Sequence, residues 1–205
     1  MRKLFSAVIL ILATVASVQA QTSSILDKLL GGDSNVGAVV SNLLGTNKLT
    51  PADLQGSWAY SSPAVTFKSD NLLKKAGGAA ASATVVSKLK PYYAKAGLDK
   101  MILTVKADST FTMQLKRGSL SGTISTSATG GMMTFNFKAA KISIGSLDAA
   151  VSKAGNNLTV TFDVSKLMTL VNTIASVSGN STIKGLNTML QSYDGIQAGF
   201  QLTKQ

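Results

Sequence analysis

Met101-Ile102-Leu103-Thr104-Val105-Lys106 and Thr110-Phe111-Thr112-Met113-Gln114-Leu115, separated by Ala107-Asp108-Ser109, form the stretch that decides the fold of this chain. In the first run Met101, Leu103 and Val105 alternate with Ile102, Thr104 and Lys106. In the second, Phe111, Met113 and Leu115 alternate with Thr110, Thr112 and Gln114. Successive side chains of a strand point to opposite faces, so a period of two describes a strand half buried against a core. A sheet with one wet face is antiparallel. The three residues between the runs are turn-prone and short, as a hairpin requires.

The same alternation recurs downstream. Leu120 and Ile124 sit among Ser119, Ser121, Thr123 and Ser125; Met133, Phe135 and Phe137 alternate with Thr134, Asn136 and Lys138. Ile142 and Ile144 flank Ser143, and Leu158, Val160 and Phe162 flank Thr159 and Thr161. Near the end Ile196, Ala198, Phe200 and Leu202 alternate with Gln197, Gly199, Gln201 and Thr203. Arg117-Gly118, Gly130-Gly131 and Gly155-Asn156-Asn157 supply further turns. With Gln55 to Ser61 there are about eight strands, and a meander of that size removes its exposed edges by closing into a barrel. The expected class is mainly β with helical insertions.

Two insertions have helical spacing. Leu72, Leu73, Ala76, Val85, Val86 and Leu89 mark one between Ser69 and Ala96, with Gly77-Gly78 and Pro91 as punctuation. Leu167, Met168, Val171 and Ile174, then Ile183, Leu186, Met189, Leu190 and Tyr193, mark a pair of stripes between Ser165 and Tyr193, and Gly195 is a natural stop. Upstream, Ile25, Leu29, Leu30, Val36, Val39, Val40, Leu43 and Leu44 suggest two short amphipathic helices broken at Gly31-Gly32. Thr50-Pro51 reads as a turn or a helix start.

Residues 1–20 have the three parts of a secretory signal: Arg2 and Lys3, an apolar run from about Leu4 to Val15, and the small-residue site Val18-Gln19-Ala20. The domain reading is therefore a signal peptide at 1–20, an amphipathic helical segment and linker at 21–52, and a β-barrel domain at 53–205. The expected product is exported to the periplasm or beyond, soluble after cleavage, with no transmembrane segment left. With no cysteine in the chain there is neither a lipid-accepting thiol nor a disulfide.

Leu54-Gln55-Gly56-Ser57-Trp58-Ala59-Tyr60 resembles the Gly-x-Trp opening of lipocalins and related calycins. A wider likeness from Leu54 to Lys204 is similar to an uncharacterised family of exported bacterial lipocalin-like, calycin-type domains. The resemblance implies a barrel sealed at one end by Trp58. It departs from lipocalins where an arginine near the last strand packs on the tryptophan: the closing strand here offers Lys204. The Thr-Asp-Tyr turn motif is missing, and two late helices stand where lipocalins have one.

Residue types narrow the chemistry. The sequence has no histidine, cysteine or glutamate, which excludes metal sites with nitrogen or sulfur ligands and both Ser-His-Asp and Cys-His catalysis. Its nine acids are scattered aspartates, with no local pair of the glycosidase kind. No phosphate-cradling loop is present. The expectation is no enzyme and no cofactor. Twenty Lys and Arg against nine acids give +11; without Arg2 and Lys3 the balance is +9, and Arg117 is then the last arginine. Nucleic-acid readout leans on arginine and aromatics and is not expected. Lys88, Lys90, Lys95 and Lys100 gather around Tyr92 and Tyr93; an ordinary solvated helix face explains them first, and contact with an anionic envelope surface through lysines is the other reading.

The candidate ligand-binding residues are Trp58, Tyr60, Phe111, Met113, Met133, Phe135, Phe137 and Phe200, all on the apolar strand faces. Two readings stay open, the first leading and the second its alternative. In the first, these side chains line a cavity for an apolar or amphipathic small molecule, helped by adaptable methionines. In the second, they fill a solid core, and the domain is an envelope interaction or structural module. An eight-stranded barrel allows either.

Overall fold

A computed structural model describes residues 49–68, 79–128, 131–139, 142–177, 185, 186, 188 and 195–205. The expected signal at 1–20, and the helical segment up to residue 48, lie outside them. All described residues fall in one compact unit, 35–205.

The chain enters through a 3-10 turn, Pro51–Leu54, so Thr50-Pro51 is a helix start. Proline suits this place because its missing N–H would have had no helical partner. The Asp53 carboxylate accepts bonds from the Thr50 amide and hydroxyl, each 2.7 Å. The backbone bond first, then the hydroxyl, hold its pKa below the ordinary carboxylate value.

Eight strands follow: β1 (Gly56–Phe67), β2 (Ile102–Val105), β3 (Thr110–Gln114), β4 (Ser119–Thr126), β5 (Met132–Ala139), β6 (Ile142–Ala154), β7 (Asn157–Asp163) and β8 (Ile196–Lys204). Each pairs antiparallel with its successor, and β8 returns to β1, so the sheet is a closed barrel. The alternation read from the sequence sets the faces. Leu103 lies opposite both Trp58 and Met113, and Phe135 lies opposite both Ile124 and Leu147, all pointing inward. On the outside, Thr123 stands between Thr110 and Asn136. Asp108-Ser109-Thr110 forms the expected hairpin turn, with the Thr110 amide and hydroxyl donating to Asp108 at 3.0 and 2.6 Å.

Two strands run further than their sequence pattern suggested. β1 continues past Ser61 because a bulge between Tyr60 and Ser62 restarts the alternation. It also tolerates Pro63, since the β2 ladder covers only Gly56 to Ala59 and leaves that edge without a strand partner. β6 continues from Ile144 to Ala154. Its pattern was hidden by Ala149 and Ala150, two small residues on opposite faces that are both buried.

Helix α1 (Ala79–Ala96) follows β1, and α2 (Val164–Val177) follows β7. Pro91, expected to punctuate, instead lies inside α1. It is exposed, on the side opposite the buried stripe of Val85, Leu89, Tyr93 and Ala96. Packing of that stripe outweighs the bond the proline removes, worth roughly 3 kcal/mol in propensity terms. Of the second late stripe only Leu186 is described; it is helical and buried.

The barrel turns two tight corners at glycines. Gly122 faces inward between Phe111 and Phe137; a Cβ there would collide with the Asn136 carbonyl oxygen and come 2.8 Å from the Phe111 ring. At Gly199 a Cβ would collide with the Val160 carbonyl oxygen and lie 2.9 Å from the Thr161 Cα. Gly122→Ala and Gly199→Ala should each lower stability by about 3 kcal/mol, because backbone stands in the way and cannot yield as a side chain can. Gly155→Ala, in open space at φ +54, should cost only about 1 kcal/mol. Urea unfolding of the three variants checks the order. Equal losses would contradict the account of the corners.

Candidate functional site

The residues singled out from the sequence come together. Trp58, Phe111, Met113, Met133, Phe135, Phe137 and Phe200 belong to one buried cluster, and half-buried Tyr60 packs against it. Two further rings join them. Phe162 of β7 lies 6.0 Å from Phe135, 6.4 Å from Phe137 and 6.3 Å from Phe200. Tyr93 of α1 lies 5.6 Å from Phe200 and 6.3 Å from Tyr60. Phe162 was visible as an inward strand position. Tyr93 carried a weaker signal, its place four residues after Leu89 on a helical stripe.

Ring contacts run without a break across the interior. Phe111 meets Phe135 and Phe137 edge-on at 5.6 and 5.2 Å, and Phe135 stacks on Phe137 at 6.0 Å. Such pairs add about 0.5–1.5 kcal/mol each beyond the area they bury. Trp58, Phe111, Phe135, Phe137, Phe162 and Phe200, with Met113 and Met133, are each 2 % exposed or less. Side chains on the wall of an internal void would retain exposed surface facing it. A pocket of roughly 300 Å³, the lower end for small-molecule sites, requires such a wall. Among the described residues these side chains face one another instead.

One end is sealed by charge over an aromatic ring. The Trp58 indole N–H donates to the Leu54 carbonyl at 2.7 Å. Lys204 pairs with Trp58 across β8 and β1, and Lys153 pairs with Leu158, so both lysines project on the inward side as the strands end. Each ammonium lies 5.8 Å from the centre of the Trp58 ring. Lys153 also donates to the Asp53 carbonyl at 2.7 Å. Two lysines thus stand where lipocalins use one arginine, trading a planar stack for point charges above the ring.

At the other end α1 packs against β1 and places Tyr93 in the core cluster. The Tyr93 hydroxyl donates to the Gly199 carbonyl at 3.1 Å. Burial pushes the Tyr93 phenol well above its ordinary pKa, with Tyr60 as a lesser cause. Burial first, then the charge of Asp99, push Tyr60 up as well. Both phenols are therefore protonated at neutral pH and can donate hydrogen bonds without serving as bases. Four aspartates are held in local structure: Asp53 by Thr50, Asp108 by Thr110, Asp148 by Thr134 at 2.6 Å, and Asp163 by Lys68 at 2.6 Å. Ser165 and Lys166 are both exposed, with Ser165 donating to Asp163 at 3.5 Å. Among the described residues no three acids or other ligating groups converge as a metal site would need, and no helix is long and apolar enough to cross a membrane.

Tyr93→Phe tests the helix plug. Removing the hydroxyl leaves the Gly199 carbonyl without this partner and should cost about 1–3 kcal/mol at pH 7. A phenol whose folded pKa is raised stabilises the fold below the unfolded value, near 10, and loses that contribution as pH rises toward the folded value. Wild-type stability should thus fall more steeply above about pH 10 than that of Tyr93→Phe, measured by urea midpoints across the alkaline range. Equal slopes would contradict a buried, hydrogen-bonded Tyr93.

A crystal structure of a DUF4847 family protein from Bacteroides vulgatus aligns with 16% identity over 74% of this chain and 94% of that one, at a TM-score of 0.34. No curated protein sequence matches the chain. The sequence profile of a lipocalin-like domain, DUF4923, matches residues 26–204. The chain belongs to this lipocalin-like domain family.

Proposed function

We propose that this protein is an exported, non-catalytic binding module whose barrel is solid and which acts through its outer surface. The lipocalin-like domain is a binding fold and typically non-catalytic. The choice between a cavity and a surface rests on one observation: the unbroken ring contacts from Tyr60 through Tyr93, Phe200 and Phe162 to Phe135, Phe111 and Phe137. A ligand entering that space would have to separate rings already in contact, forfeiting their packing. The sequence supports export through residues 1–20 and supplies no histidine, cysteine or glutamate for catalysis. Of the two readings open at the start, the filled interior favours the solid module over the cavity.

Native mass spectrometry of protein recovered without detergent should give the bare polypeptide beginning at Gln21. Trp58 emission should not respond saturably to oleate or to a sterol. Phe135→Ala, which empties space between Phe111, Phe137 and Phe162, should cost about 3–5 kcal/mol and gain uptake of benzene-sized molecules. A stoichiometric apolar adduct on the wild-type protein would overturn the solid-barrel reading and restore the cavity.

A further inference from the structure

Charge is not spread evenly over the described surface. The outer sheet face from β3 to β6 is nearly neutral. It presents Thr112, Ser121, Thr123, Asn136 and Ser146, with Lys138 balanced by Asp148. The basic side chains concentrate where α1 leaves the barrel mouth. Lys88, Lys90 and Lys95 of α1, Lys100 just beyond it, and Lys116 and Arg117 of the β3–β4 hairpin are all exposed. The hairpin is distant in sequence but adjoins the end of α1: the Lys116 amide donates to the Gly97 carbonyl at 3.4 Å. Gly97 adopts φ +78, and a Cβ on it would lie 3.3 Å from the Lys116 Cβ. The acid within these two segments, Asp99, has its Oδ1 buried and acts on the Tyr60 phenol. Part of its charge is therefore turned inward, and these segments expose six basic side chains against this one acid.

On α1 the buried stripe of Val85, Leu89, Tyr93 and Ala96 faces the barrel. At 100° per residue, Lys88 and Lys95 fall on one flank of the exposed ridge and Lys90 on the other. Tyr92 takes no part in this face: its ring packs against the core, and its hydroxyl lies beside Gly185. Cations gathered on one exposed face attract the negative surface of an anionic leaflet. Lysine, a compact point charge, needs no fixed register with its partner, unlike the planar fork of arginine. That suits a laterally mobile anionic surface better than directional recognition of one acidic group.

We propose that the face formed by α1, Lys100 and the Lys116-Arg117 hairpin docks the protein on an anionic phospholipid bilayer. This rests on the surface-acting reading above and names its partner. Flotation of the mature chain with vesicles tests it, using phosphatidylcholine alone or with about 30% phosphatidylglycerol, at about 50 and about 500 mM salt. Binding should need the anionic lipid and fall at least tenfold at the higher salt. The variant Lys90→Gln/Lys100→Gln/Lys116→Gln should bind at least tenfold more weakly. A variant with the same change in net charge elsewhere, Lys106→Gln/Thr123→Glu/Ser125→Glu, should lose less than half that factor. Equal losses would mean that net charge and not this face is responsible, and would overturn the proposal. So would binding indifferent to phosphatidylglycerol, or capture by a soluble anionic polysaccharide with none by vesicles. Each of these failures leaves the solid-barrel test intact, since the apolar-adduct and Trp58 measurements do not involve these lysines.

Discussion

Closing eight antiparallel strands into a ring bounds the room inside, which facing side chains can fill or one small ligand can occupy. Whatever occupies the inward positions therefore determines what the molecule can do. Here those positions carry phenylalanine on β3, β5, β7 and β8, and neighbouring rings approach to between 5.2 and 6.4 Å. Large rings on facing strands need small residues to pack against. Gly122, opposite both Phe111 and Phe137, meets that need while allowing the sheet to bend. Core composition and barrel curvature are two consequences of one packing problem.

The two ends of the barrel are covered by different physics. At one end Trp58 anchors the 3-10 turn through its indole N–H and lies under two ammonium groups whose own surroundings are wet. The attraction there is modest and survives the exchange of arginine for lysine, because the ring's negative face accepts any cation. At the other end α1 packs against β1, and its Tyr93 joins the ring cluster while bonding to a strand carbonyl.

Much of this could be read in the residues. Strands β2 to β5, β7 and β8 announced themselves because each keeps a strict two-residue period, and the inward faces so defined are the ones that meet. Gly56-Ser57-Trp58 pointed to the sealed end, whereas Lys204 stood in the sequence as a departure from the lipocalin arginine. Three things were not legible, each for a physical reason. The bulge after Tyr60 slips the pattern of β1 by one residue. Ala149 and Ala150 are small and apolar on both faces, so β6 lost its alternation there. Pro91 seemed to end a helix, but a proline on the solvent side is overridden when the opposite face is buried. Whether the interior is hollow was beyond pattern alone: the same Phe and Met positions could line a cavity or fill a core. Tyr93, contributed from a helix and not from a strand, helps decide between the two.

The proposed surface-acting module requires that the space among the inward side chains be occupied by the protein itself. Methyl NMR of the methionines reports on that space directly, because Met113 and Met133 both lie on inward faces in the ring cluster. Titration with a medium-chain fatty acid should leave both methyl signals unmoved, with any response confined to exposed residues. Saturable shifts of the Met113 and Met133 methyls, at one fatty acid per chain, would show an interior that opens to ligand and contradict the account.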